Sequence, residues 1–100
     1  MPGGTSCPSM AITTLTVHVQ AERVVVTWNV AGGCGPFSGT VSAAVQGQPT
    51  YQTYPITAAS GTVTDTPPRC AGVVIYRLTL ADGSGAYVSG SASALIDRDC

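Results

Sequence analysis

The residues able to do chemistry are few and far apart. His18 is the only histidine. It alternates with Leu15, Val17 and Val19 in a strand-like run, which puts it on the outward face. A nucleophile–base–acid arrangement needs an acid to orient the base and a nucleophile within its reach, and the neighbouring residues supply neither. The carboxylates are Glu22, Asp65, Asp82, Asp97 and Asp99. Paired carboxylates serve glycoside hydrolysis or hold calcium, yet only Asp97-Arg98-Asp99 is a tight cluster, and it reads as a solvated tail. Asp82-Gly83-Ser84-Gly85 lacks the later ligands of a calcium loop and reads as a hairpin turn. Neither Gly32-Gly33-Cys34-Gly35 nor Gly83-Ser84-Gly85 opens a helix, which a phosphate cradle requires. No catalytic residue, cofactor site or metal site is expected, and the chain reads as a non-enzyme.

Four cysteines stand at Cys7, Cys34, Cys70 and Cys100. Structural zinc uses close pairs such as C-x-x-C, and these spacings are wide. Cys34-Gly35-Pro36-Phe37 has the first half of a thioredoxin-type motif without its second cysteine. In a small domain such a set reads as two disulfides, with three possible connectivities. The competing reading is four thiols in a reducing compartment. Among the aromatics, Trp28 and Phe37 are expected in the core, whereas Tyr51, Tyr54 and Tyr87 are the exposed candidates for a surface contact or a sugar platform.

The elements that must position these groups follow from composition and period. One hundred residues make one domain, taken as residues 1–100 with a strand core about 10–96. Charged residues make up 9% of the chain, there is no lysine, and the net charge is −1. A nucleic-acid binder needs a basic stripe, so that class is excluded. No apolar run approaches the length of a membrane helix, so no membrane insertion is expected. Met1 to Ser6 has neither the basic nor the apolar region of a signal peptide.

Period-two patterns with β-branched residues mark strands. Val24, Val26, Trp28 and Val30 share one face of Arg23 to Val30. Leu15, Val17 and Val19 precede them. Phe37, Gly39, Val41, Ala43 and Val45 alternate with Ser38, Thr40, Ser42 and Ala44. Tyr51 to Ile56 suits an edge strand, given its proline. A short strand is expected around Thr62 to Thr64. Val74, Tyr76, Leu78 and Leu80 share a face, and Tyr87 to Ile96 closes the series. No segment has a helical period. About seven short strands separated by turns predict an all-β, antiparallel two-sheet sandwich.

Val24-Val25-Val26-Thr27-Trp28 resembles the second strand of a fibronectin type III or related immunoglobulin-like domain. Tyr76 to Gly85 resembles the sixth strand and following hairpin of that family, although the corner tyrosine expected two residues before Tyr76 is replaced by Val74. The resemblance implies a seven-stranded antiparallel immunoglobulin-like (fibronectin type III-like) β-sandwich. It further implies that the N-terminus lies by the loop between the second and third strands, and the C-terminus by the loop before the sixth. The pairs Cys7–Cys34 and Cys70–Cys100 are then expected.

The outward positions are mostly Thr, Ser, Gln, Ala and Val, with Val25, Ala44, Val73 and Ile75 expected to point away from the core. Soluble monomers usually carry more charge. The expected function is therefore structural: a small subunit that decorates or builds a virion (a phage capsid decoration or cement protein) or an extracellular filament. Its partners would be copies of itself or the capsid or filament scaffold. Virion or extracellular localisation is expected, with export by lysis in place of a signal peptide. The alternative is a fibronectin-like accessory or spacer module of a secreted bacterial enzyme or adhesin, with carbohydrate binding through Tyr51 and Tyr54 as a further possibility.

Overall fold

The computed structural model describes residues 7–96. It is built from seven strands: β1 (Ala11–Gln20), β2 (Arg23–Ala31), β3 (Ser38–Val45), β4 (Thr50–Ile56), β5 (Ser60–Asp65), β6 (Gly72–Ala81) and β7 (Tyr87–Ile96). The expected strands all form, each within a residue or two of its predicted bounds except β1, which begins at Ala11, four residues before Leu15. Among the described residues there is no helix.

Two antiparallel sheets result. One has the order β1-β2-β5 and the other β4-β3-β6-β7. Alternation delivers the inward rows as expected. Val24, Val26, Trp28 and Val30 from β2 are buried, as are Val74, Tyr76, Leu78 and Leu80 from β6 in the other sheet, with Val41 and Ala43 of β3 beside the β6 row. Full burial of each such aliphatic side chain contributes about 1.5–3 kcal/mol. Trp28 sits between Leu15 and Gly61 in the ladder. Its indole nitrogen donates to the Ala58 carbonyl at 3.1 Å. Gly61 leaves room for the ring, since a Cβ there would lie a tight 3.1 Å from the indole.

The two open sides of the sandwich are sealed differently. On one side β1 packs under β7, where Gly90 makes room for Ile12 and Leu15; an added Cβ would lie 2.9 Å from Ile12 Cδ1. On the other side β4 and β5 are the edges, and a polar cluster joins them. Two-residue connection Ala21-Glu22 links β1 to β2, since Gln20 pairs with Arg23. Ala21 takes φ 53° there, a left-handed conformation costly for a residue with a Cβ.

Candidate functional site

Three features could carry function: a stapled pole, a buried carboxylate cluster and an outward sheet face. At the pole, Cys7 and Cys34 form a disulfide with Cα atoms 5.4 Å apart. The Gly33 amide donates to the Pro8 carbonyl at 2.8 Å, so the segment before β1 lies along the β2–β3 loop. Gly32 and Gly33 have φ of 82° and 77°. At Gly32 a Cβ would lie 2.1 Å from the Ser9 carbonyl oxygen, so only glycine lets the two segments meet.

Asp82 ties the β6–β7 hairpin into the same pole. Its carboxylate accepts from the Ser84 hydroxyl at 2.6 Å and from the amides of Ser84, Ala86 and Cys34 at 2.9, 3.1 and 3.1 Å. The Gly83 amide donates back to the Cys34 carbonyl at 2.6 Å. The Ser84 hydroxyl above all, then the three amides, hold the Asp82 carboxyl below the ordinary carboxylate range against the opposing effect of desolvation. The turn read from Asp82 to Gly85 is present. Its aspartate has the further role of clamping the loop that bears Cys34.

Cys70 is disulfide-bonded and is not a free thiol. Its expected partner, Cys100, lies outside the described residues, as do Asp97 and Asp99. Gly72, next to the β5–β6 loop, pairs with Ile96, so the last described residue lies at the pole opposite Cys7–Cys34.

The carboxylate cluster centres on Asp65, at the end of β5, which is 2% exposed. Oδ2 accepts from the Tyr51 hydroxyl at 2.5 Å and the Tyr76 hydroxyl at 2.7 Å. Oδ1 accepts from the Tyr54 hydroxyl. Three phenols from β4 and β6 thus converge on one carboxylate from the opposite sheet. Desolvation, then the hydrogen bond to Asp65, raises the pKa of all three phenols; Tyr54 is pushed up to about 12, and Tyr51 and Tyr76 are pushed higher. Tyr51, Gln52, Tyr54, Thr64, Asp65 and Thr66 line a shallow cleft of about 340 Å³ beside it.

Tyr51 and Tyr54, expected as exposed candidates for a surface contact, both line this cleft. Both are half-buried, and their hydroxyls are committed to Asp65. Tyr87 is 70% exposed, but it lies on β7, the opposite edge of the four-stranded sheet. The three candidates therefore do not form one platform. Asp65 was the residue missed. A signal for it existed in Tyr76, which alternation places on the core face: a buried phenol needs a partner for its hydroxyl.

His18 is exposed on β1, level with Val25. Among the described residues no three His, Cys, Asp or Glu side chains come together as a metal site.

The outward face of the four-stranded sheet is the third feature. Val73 pairs with Leu95, and Ile75 lies between Ala44 and Ser93. Arg77, between Ser42 and Ser91, is the only charged residue on any of the four strands. Leu95 is 60% exposed. Val73, Ile75 and Ala44 point outward, as does Val25 on the other sheet; each is next to at least one buried residue and is itself partly exposed.

Comparison with known proteins adds no family: a scan against protein-family models finds no match, and no curated protein matches in sequence.

Proposed function

We propose that the chain is an immunoglobulin-like, fibronectin type III-like sandwich acting as a non-enzymatic structural subunit. It contacts copies of itself or a scaffold, decorating or building a virion or an extracellular filament. The strand partition supports the fold assignment. First, second and fifth strands on one sheet against third, sixth and seventh on the other is the immunoglobulin division. The fourth strand here joins the second group through β3.

The observation that carries the function is the outward face of β4-β3-β6-β7. It presents Ala44, Val73, Ile75 and Leu95 with a single charge at Arg77. Interface cores are depleted in charge in this manner, and monomers avoid contiguous exposed apolar area. A protein whose surface is covered by partners has no need of the charges that keep a monomer dispersed.

Sedimenting the native protein from its source, with imaging of the pellet, tests the proposal. Recovery in large regular particles is the expected result, with Ile75→Glu lost from those particles while its melting temperature stays near that of the parent. Recovery as part of a longer soluble polypeptide would instead assign the chain as an accessory module of a secreted enzyme or adhesin.

A further inference from the structure

The ladder between β6 and β7 has a readable phase. The Asp82 amide donates to the Ala86 carbonyl at 2.9 Å where the hairpin begins. The register then runs without a break from Ala81–Tyr87 to Gly72–Ile96. In an antiparallel ladder both main-chain groups of a residue point to the same side, and the side alternates. Even-numbered residues of β7 therefore face β6. Tyr87, Ser89, Ser91, Ser93 and Leu95 direct their N–H and C=O groups to the free edge. Among the described residues no strand pairs with that edge. β1 lies beneath the inward face of β7, through Ile12 and Leu15, and belongs to the other sheet.

Unpaired edges are normally blunted by charge, proline, bulges or shortness. The other three edges show these devices. β1 has a bulge near Thr13 and an exposed His18, β4 contains Pro55 and a register shift against β3, and β5 is six residues long and ends at Asp65. β7 has none of them over ten residues.

We infer that the free edge of β7 is the docking site for β7 of a second copy of this chain, paired antiparallel about a two-fold axis through Ser91. The inference deepens the structural reading above and rests on it in taking another copy as the partner. The register follows from self-complementarity. Centring on Ser91 matches edge-directed residues with edge-directed residues: Tyr87 with Leu95 of the second copy, Ser89 with its Ser93, and Ser91 with its Ser91. Tyr87 and Leu95 are the two most exposed large apolar side chains in the described molecule, at 70% and 60%. Both point to the outward face, so this register lays each tyrosine over the opposing leucine, and it does so twice by symmetry. No charge on β7 opposes the approach, and the net charge of −1 gives little repulsion between copies. The product is one continuous sheet of eight strands whose outward apolar face is doubled in extent. Main-chain bonds supply affinity in strand addition of this kind. The edge is narrow, so the dimer belongs to the weak class.

Sedimentation velocity over a concentration series reaching the millimolar range tests the pairing on the intact, oxidised chain. The parent should pass from monomer to dimer. In Ser91→Pro the lost N–H is one that faces the free edge, so the monomer loses no ladder bond, while the dimer should weaken at least about tenfold. Ser89→Lys with Ser93→Lys sets like charges opposite each other and should weaken the dimer similarly. Ser89→Lys with Ser93→Glu sets opposite charges together and should restore it. A thermal melt of each variant confirms that the monomer is folded. A parent that stays monomeric throughout would overturn the inference, as would a dimer indifferent to all three variants. Either result leaves the particle experiment above to decide the structural reading separately. A dimer showing this charge pattern in a chain never recovered from particles would retain the pairing and remove the structural role.

Discussion

The Tyr76 hydroxyl, from the middle of one sheet, donates to Asp65 Oδ2 at the edge of the other across 2.7 Å. With Tyr51 and Tyr54 on the same carboxylate, this bond ties together the side of the sandwich where β4 and β5 are the edges. It links the two sheets as packing does at Gly90 on the opposite side.

Replacing the carboxylate should therefore cost more than removing one phenol. Asp65→Ala leaves three hydroxyls without their acceptor, and a loss of about 3 kcal/mol is expected. Tyr76→Phe removes one hydrogen bond to a charged group and should cost about 1.5–3 kcal/mol. Urea unfolding of both variants and the parent checks the order.

Alkaline pH should weaken the cluster. The phenols of Tyr51, Tyr54 and Tyr76 ionise later in the folded chain than at the ordinary value of 10.0, so the native state holds more protons than the unfolded state above that pH. Their contribution is fully present below pH 10 and is lost as pH rises through about 12, the value for Tyr54, and beyond it for the other two. Tyrosinate absorbance of the folded protein should lag that of the urea-unfolded chain over this window. Coincident titrations would contradict the buried cluster.

Asp82 sets a limit at the acid end. Its folded carboxyl ionises below the ordinary 3.8, so its contribution is present above that pH and is lost as pH falls through the lowered value. Asp82→Ala should lower the melting temperature at neutral pH and show a smaller further loss on acidification than the parent. Because the Cys34 amide is one of its donors, the variant should also expose the β2–β3 loop to proteolysis.

The Cys7–Cys34 disulfide closes a loop with a sequence separation of 27. Replacing both cysteines with serine should cost about 3.5 kcal/mol in the chain-entropy account. The β strands should remain by circular dichroism, since the core lies between the sheets and not at this pole.

Ala21 offers a stabilising change. Its φ of 53° suits glycine, so Ala21→Gly should gain about 0.5–1 kcal/mol. Ala21→Val should lose stability at the same site. Thermal melts of the pair read the sign directly.

The strands and their buried faces were legible because they depend on local alternation. Val24 to Val30 and Val74 to Leu80 carry period two in β-branched and large apolar residues, and side-chain direction in a strand follows from that period alone. The same local alternation could not show what Tyr51 and Tyr54 bond to. Polar-tipped aromatics in an edge strand look exposed until the acceptor for their hydroxyls is known. Asp65 is 14 residues from Tyr51 and 11 from both Tyr54 and Tyr76 in the chain. No local pattern joins them.

By itself the sequence determined the number of strands, the inward rows, the turn at Asp82 and the scarcity of surface charge. All of these are properties of neighbouring residues. Only the tertiary structure decided that β4 pairs with β3, that β4 and β5 become facing edges, and that Asp65 receives three phenols there. It likewise decided that Tyr87 and Leu95 share an edge that no other strand pairs with among the described residues. These outcomes depend on the order of strands in each sheet, which is set by packing between segments distant in the chain, and alternation within a strand is the same whichever neighbour it acquires.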